Sequence, residues 1–70
     1  MSVYVLRVWH NDKLVYKRSF DGLSIATAEM WGHIQMIERR YNCCHEVVGE
    51  KVHVRGYCFE ITQEGQAVSL

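Results

Sequence analysis

The residues best suited to chemistry lie in the second half of the chain, where Cys43-Cys44-His45 is followed by His53 and Cys58. Zinc prefers thiolate and imidazole ligands in a tetrahedron, usually with two of them two to four positions apart. Here the first two cysteines are adjacent, no Cys-x-x-Cys pair follows, and His53 and Cys58 can fall on different strand faces. The sequence therefore predicts reduced thiols and no metal site, with a zinc-stapled domain as the alternative.

A cysteine nucleophile is the next chemistry to consider, with Cys44 or Cys58 activated by His33 or His45. Such a pair needs a pocket that lowers the thiol pKa and holds a substrate, on the order of 300 Å³ or more. A chain of 70 residues has little core from which to form one. Glu29 and His33, four positions apart, are explained as a solvated helix pair. We therefore predict that the protein is not an enzyme and uses no cofactor.

Basic and aromatic residues are interleaved near the N-terminus, where Arg7, Lys17 and Arg18 accompany Trp9. An aromatic ring between cations can stack on a base while the charges contact phosphate. However, the formal net charge is zero, and a dedicated nucleic-acid-binding protein is usually basic overall. Nucleic-acid binding by the N-terminal hairpin is therefore the second hypothesis.

Residues 2–20 are predicted to form the β-hairpin that positions these side chains. Two runs of β-branched and aromatic residues, 3–9 and 14–20, flank the turn formers of residues 10–13. We favour a three-residue loop at 11–13, while a two-residue loop would shift the pairing by one and exchange part of the two faces. With three residues, one face holds Tyr4, Leu6, Val8, Leu14, Tyr16 and Phe20. The other holds Val3, Val5, Arg7, Trp9, Val15, Lys17 and Ser19.

An amphipathic helix is predicted over residues 23–41. Ser24 is the expected N-cap, Arg39 and Arg40 favour the carbonyl end of the helix dipole, and Asn42 can take the left-handed position after it. Apolar residues recur at spacings of three and four: Leu23, Ala26, Met30, Ile34, Ile37 and Tyr41.

A second hairpin is predicted over residues 45–62, with its turn at Arg55-Gly56. Gly49 marks either a bulge or a separate tight turn, and the sequence leaves both open. The predicted fold is a single α+β domain, residues 1–70. It is an antiparallel sheet of about four strands in the order ββαββ, with one helix on one face.

A single helix covers only one face of such a sheet, so the other face is expected to meet a partner. Apolar patches rimmed by charge are typical of interaction sites. Because a domain this small often gains stability from a second subunit, we expect a homodimer or another protein partner. Arg7 and His10 interrupt any leader-like apolar run, which favours a cytoplasmic protein without a membrane partner. The predicted contact residues are Val3, Val5, Arg7, Trp9, Val15 and Lys17.

The stretch ATAEMWGHIQMIERRYNCCHEVVGEKVHVRGYCFEI, a helix that feeds a hairpin, resembles some small phage-encoded anti-CRISPR proteins in size and element order. The resemblance implies a protein that binds a host surveillance complex and blocks it. The DNA-mimicking members carry an acidic excess that this chain lacks. The resemblance therefore implies direct binding through a mixed basic and apolar face, and it assigns no functional residue.

Overall fold

One helix packs against a five-stranded antiparallel sheet in a computed structural model that describes residues 2–64. The strand order is β2-β1-β5-β4-β3. The α+β class and the single helix are confirmed, whereas the expected four strands are five, in the order ββαβββ. The elements are β1 Val3–His10, β2 Lys13–Phe20, α1 Leu23–Tyr41, β3 Glu46–Val48, β4 Lys51–Val54 and β5 Tyr57–Glu64.

The additional strand arises from Gly49. This glycine has a φ of +63°, a left-handed conformation that suits a tight hairpin turn. The turn at residues 49–50 divides the predicted strand into β3 and β4, which pair with each other. Of the two alternatives for Gly49, the tight turn is the one observed. The Arg55-Gly56 turn is confirmed between β4 and β5, with φ values of 44° and 80°.

The first hairpin combines a two-residue turn with a β-bulge. Asn11 and Asp12 both have positive φ, as the primed two-residue turns require, so the predicted three-residue loop is wrong. The register then shifts at Val15, which has no partner on β1. An extra residue at a bulge restores the alternation that the shorter loop would have lost. From Tyr16 to Phe20 the pairing is the predicted one.

The bulge exchanges the faces of two residues. Leu14 pairs with Trp9 and so shares the face turned away from the helix, where Val15 was expected. Val15 instead lines a groove on the helix side together with Tyr16 and Met36. Both predicted positions are therefore wrong, because the two-residue turn and the bulge each move the register by one.

The helix occupies the predicted range, Leu23–Tyr41, and buries the centre of its apolar stripe. Its N-cap is Gly22, with no side-chain capping bond, so the predicted Ser24 cap is wrong. Gly22 is extended, and its carbonyl accepts the Ala26 N–H at 3.2 Å. At the other end, Asn42 is left-handed as expected. The buried core consists of Leu6, Val8, Phe20, Ala26, Met30, Ile34, Val52, Val54 and Phe59.

Two glutamates attach the helix to its surroundings. Tyr16 Oη donates to Glu29 Oε2 at 3.1 Å, and His33 Nε2 lies 3.2 Å from the same oxygen. Near the end of α1, the His45 N–H donates to Glu38 Oε2 at 2.9 Å and His45 Nδ1 lies 2.8 Å from it. The hydrogen bond from His33 lowers the pKa of Glu29, and that from His45 lowers the pKa of Glu38. No helix within residues 2–64 has the length and apolar character needed to cross a bilayer.

Candidate functional site

The side of the sheet turned away from α1 is the candidate site, and we call it the open face. No element within residues 2–64 covers it. Successive side chains of a strand alternate between the two faces, so the register determines the members. They are Val3, Val5, Arg7, Trp9, Leu14, Lys17, Ser19, Glu46, Val48, Lys51, His53, Cys58, Glu60, Thr62 and Glu64.

The structure brings five of the six predicted contact residues to this face. Val3, Arg7 and Trp9 lie along β1, and Lys17 lies beside them on β2. Val5 also points to the open face but is only 3% exposed. Val15 is the one that lies elsewhere, in the groove on the helix side.

Arg7 is held in a defined orientation at the centre of the open face. Its Nη1 donates to Thr62 Oγ1 at 2.7 Å and its Nη2 donates to Glu64 Oε2 at 3.2 Å. It also lies directly opposite Lys17 on one side and Glu60 on the other. The Arg7 side chain is 22% exposed, so a partner would meet a pre-oriented guanidinium with part of its donor capacity already used.

Trp9 is half-buried in the same face, next to a cation from another strand. Lys51 Nζ lies 5.7 Å from the centroid of the indole ring, within the range of a cation–π contact. Leu14, directly opposite Trp9 on β2, is 47% exposed. The exposed apolar side chains of the open face therefore include Leu14 beside Trp9 and Val48 on β3, which is 52% exposed.

The described part of the open face is electrically balanced. Its three cations, Arg7, Lys17 and Lys51, are matched by three carboxylates, Glu46, Glu60 and Glu64. Such a surface carries no net field to attract a polyanion.

Arg18, which the nucleic-acid hypothesis requires, is on the helix side of the sheet. Arg18 Nη1 lies 3.7 Å from Glu29 Oε2, and its guanidinium lies 5.3 Å from the Phe20 ring centroid. The four residues of that hypothesis therefore divide between two surfaces.

An open depression of about 800 Å³ lies on this face, at the end of the sheet where the first and last hairpin turns meet. The two turns are joined by the Asn11 N–H, which donates to the Gly56 carbonyl at 3.1 Å. Trp9, Cys58, His53 and Glu46 line the depression in a row across four strands.

His53 and Cys58 are therefore on the same face, directly opposite each other. The option that placed them on different faces is wrong. The Arg55-Gly56 turn makes them the second pair of a two-residue hairpin, and directly opposite residues have Cβ atoms about 4.5–5.5 Å apart. Among residues 2–64, no hydrogen bond links the thiol, the imidazole and the Glu46 carboxylate.

The three residues of the Cys43-Cys44-His45 motif separate in space. Cys43 packs against the core, while Cys44 lines the open depression. The His45 ring contacts Trp31 edge-on with centroids 4.9 Å apart. All three cysteines of the chain are free thiols. Over residues 2–64, no three His, Cys, Asp or Glu side chains are placed to hold a metal ion.

Sequence reasoning missed the contribution of the C-terminal strands to the open face. Lys51, Glu60 and His53 lie there because β4 and β5 pair across the Arg55-Gly56 turn. That turn was recognised in the sequence, and a two-residue loop fixes the pairing of both strands. The signal that Glu60 would oppose Lys51 was therefore present. The position of β5 beside β1 had no comparable local signal.

Comparisons of the chain with protein-family models, with curated protein sequences and with solved structures give no match.

Proposed function

We propose that the protein is a non-enzymatic interaction module that binds a protein partner through the open face. The observation that carries this proposal is the composition of that face. An indole ring and an oriented guanidinium, the side chains most common at binding hot spots, lie on a sheet surface that the described chain leaves uncovered.

A second copy of the chain is the partner that the charge balance favours. A face with a large net charge would repel itself, whereas this one carries three cations and three carboxylates in its described part. A chain of 70 residues also has a small core and therefore a low free energy of unfolding, which burial of a dimer interface would raise. We place this dimer in the cytoplasm, where three unpaired thiols persist.

The resemblance to small phage-encoded inhibitors makes a host defence complex a further candidate protein partner. An electrically balanced surface with an aromatic anchor suits a protein surface better than a nucleic-acid channel. Because the dimer would bury the open face, the monomer in equilibrium with the dimer would bind the complex and block it by occupying part of its surface.

The direct test is the oligomeric state of Trp9→Asp, measured by size-exclusion chromatography with light scattering. We expect wild type to elute as a dimer and the variant as a monomer, because the substitution replaces the aromatic anchor of the contact with a charge. Lys17→Glu is a second variant that alters the face without touching the core, since Lys17 is exposed. The matched control is Gln35→Asp, on the exposed side of α1.

Circular dichroism of each variant separates lost association from lost folding. A wild-type monomer at every concentration tested overturns the homodimer. A folded Trp9→Asp that binds every candidate partner as wild type does overturns the open face as the site.

Nucleic-acid binding is the second candidate, favoured by the adjacency of Arg7, Lys17 and Trp9 on one face. Its test is the binding of random oligonucleotides at increasing salt, because phosphate contacts weaken with a slope set by their number. Absence of binding at low salt removes this candidate.

A further inference from the structure

The outer edge of β2 is a second surface that residues 2–64 leave unpartnered. β2 is the first strand of the sheet, with β1 on one side only, and it is eight residues long. An edge strand presents backbone N–H and C=O groups that are free to pair with another strand. This feature differs in kind from the open face, because it concerns backbone groups at the side of the sheet, although Lys17 belongs to both surfaces.

A groove on the helix side opens next to this edge. It has a volume of about 230 Å³, and its floor is formed by core residues such as Val8 and Phe59. Val15 and Met36, two of the residues that line it, are 52% and 67% exposed. The bulge at Val15 places its side chain here. A strand added to β2 would direct alternate side chains towards this groove.

The charges along β2 are all of one sign. The strand carries Lys13, Lys17 and Arg18 and no acidic residue, although Asp12 and Asp21 flank it. Arg18 is paired with Glu29, but Lys17 forms no ion pair within residues 2–64. Lys17 also lies directly opposite Arg7, and like charges in that position are unfavourable.

From these observations we infer that the β2 edge binds an extended acidic segment of a partner protein by strand addition. Its acidic side chains lie on the open-face side beside Lys17, and its alternate apolar side chains enter the groove between Val15 and Met36. Backbone pairing supplies affinity, and the two alternating surfaces supply specificity.

A second copy of β2 does not meet these requirements. In an antiparallel pairing centred between Val15 and Tyr16, Lys13 of one copy lies opposite Arg18 of the other. Lys17 gains no acidic neighbour in that arrangement. The lysines at this edge therefore act against self-pairing, and the inferred occupant differs from the dimer partner proposed for the open face.

The experiment uses fluorescence anisotropy with a labelled peptide that alternates glutamate and valine. We expect saturable binding to wild type. The same peptide with alternate backbone nitrogens methylated keeps its charges but loses the donors needed for pairing, and its affinity should fall at least tenfold. A lysine–valine peptide should not bind.

Protein variants locate the site. Met36→Asp and Lys17→Glu should each weaken binding of the glutamate–valine peptide by about tenfold or more, equivalent to about 1.4 kcal/mol. Arg39→Glu, an exposed cation on the last turn of α1, is the matched charge control and should bind as wild type does. Trp9→Asp should also bind the peptide normally, while Met36→Asp should leave self-association unchanged.

Three results overturn the inference. The glutamate–valine peptide fails to bind wild type, the methylated peptide binds with the same affinity as the unmodified one, or Arg39→Glu and Lys17→Glu lose the same amount of peptide affinity. Normal peptide binding by a monomeric Trp9→Asp supports both surfaces separately. If wild type is a monomer at every concentration but still binds the peptide, the open-face dimer is overturned and the β2 edge site is supported.

Discussion

Glu38 shows how one side chain joins two elements at the residue scale. Its carboxylate accepts the backbone N–H of His45 and contacts the ring of the same residue, so the last turns of α1 are tied to the segment that leads into β3. Because these bonds favour the ionised carboxylate, the pKa of Glu38 is lowered. Folding stability from this group is present above the ordinary glutamate pKa and is lost as the pH falls through the lower folded value.

We predict that Glu38→Gln makes the free energy of unfolding less dependent on pH in the acid range. Wild type should lose free energy of unfolding as the pH falls below the ordinary glutamate value of 4.5, and the variant should lose less, because its side chain does not titrate. Urea unfolding between pH 7 and pH 3 measures the difference. Glu50→Gln, in the exposed β3–β4 turn, is the control. An equal fall in the free energy of unfolding between pH 7 and pH 3 for wild type and Glu38→Gln would contradict the prediction.

Substitution by alanine is predicted to change the stability of the protein in opposite directions at two of its glycines. Gly56 has a φ of +80°, and a Cβ there would lie 3.3 Å from Asn11 Oδ1. Gly56→Ala should therefore destabilise the protein by about 1–2 kcal/mol. Gly32 is in the middle of α1 with open space around it, so Gly32→Ala should stabilise the protein by about 1 kcal/mol.

The unfolding midpoints of the two glycine variants in urea test this pair directly. Stabilisation by Gly56→Ala, or a loss of stability in Gly32→Ala with native circular dichroism, would show that the backbone conformations assigned to these positions are wrong.

The bulge in β2 is the feature that matters most at the scale of elements. It adds one residue to a hairpin whose turn is one residue shorter than expected, and the two changes cancel beyond Val15. Lys17 and Ser19 therefore reach the open face, and Tyr16 and Phe20 reach the helix side, as the alternation of the sequence requires.

Deletion of Val15 is predicted to leave the fold intact. It removes the unpaired residue and leaves a regular hairpin in which Leu14 and Tyr16 keep their partners on β1. We expect native-like circular dichroism and a cooperative urea transition. Deletion of Arg7 is the control, because it shifts a central strand against β2 and β5 at once and should prevent folding. A fold lost on deletion of Val15 and kept on deletion of Arg7 would refute the bulge.

At the scale of the whole molecule, the sheet of residues 2–64 has one face under the helix, one open face and two edge strands, β2 and the shorter β3. The helix covers the core residues of four strands, including Val52 and Phe59. The open face is electrically balanced around Trp9, whereas the β2 edge carries only cations. The two surfaces therefore suit partners of different chemistry.

Dimerisation through the open face predicts that thermal stability depends on protein concentration. A partner that binds only the folded chain stabilises it by mass action. The melting temperature of wild type should rise between micromolar and submillimolar concentrations, and that of Trp9→Asp should stay constant. Differential scanning calorimetry measures both, with Gln35→Asp expected to follow wild type. A melting temperature of wild type that does not change with protein concentration would argue against the dimer.

The helix, the left-handed residue Asn42 after it and the Arg55-Gly56 turn are determined by the sequence alone. The stripe from Ala26 to Ile37 has the helical period, and Asn42 and Gly56 are residue types that tolerate the left-handed backbone conformation. These are local signals, so they require no knowledge of distant residues. Val3, Arg7 and Trp9 share one face by alternation along β1, whereas Lys17 joins them because the bulge offsets the shorter turn.

Only the tertiary structure determined the rest of the open face and the β2 edge. The pairing of β1 with β5 brings Glu60, Glu64 and Cys58 beside the first hairpin, and contacts between strands so far apart in sequence leave no local pattern. The same pairing makes β2 an edge strand, while the turn geometry at Asn11 determines the bulge at Val15. Charge balance and edge exposure depend on strand order, which is set by how the whole chain buries its core.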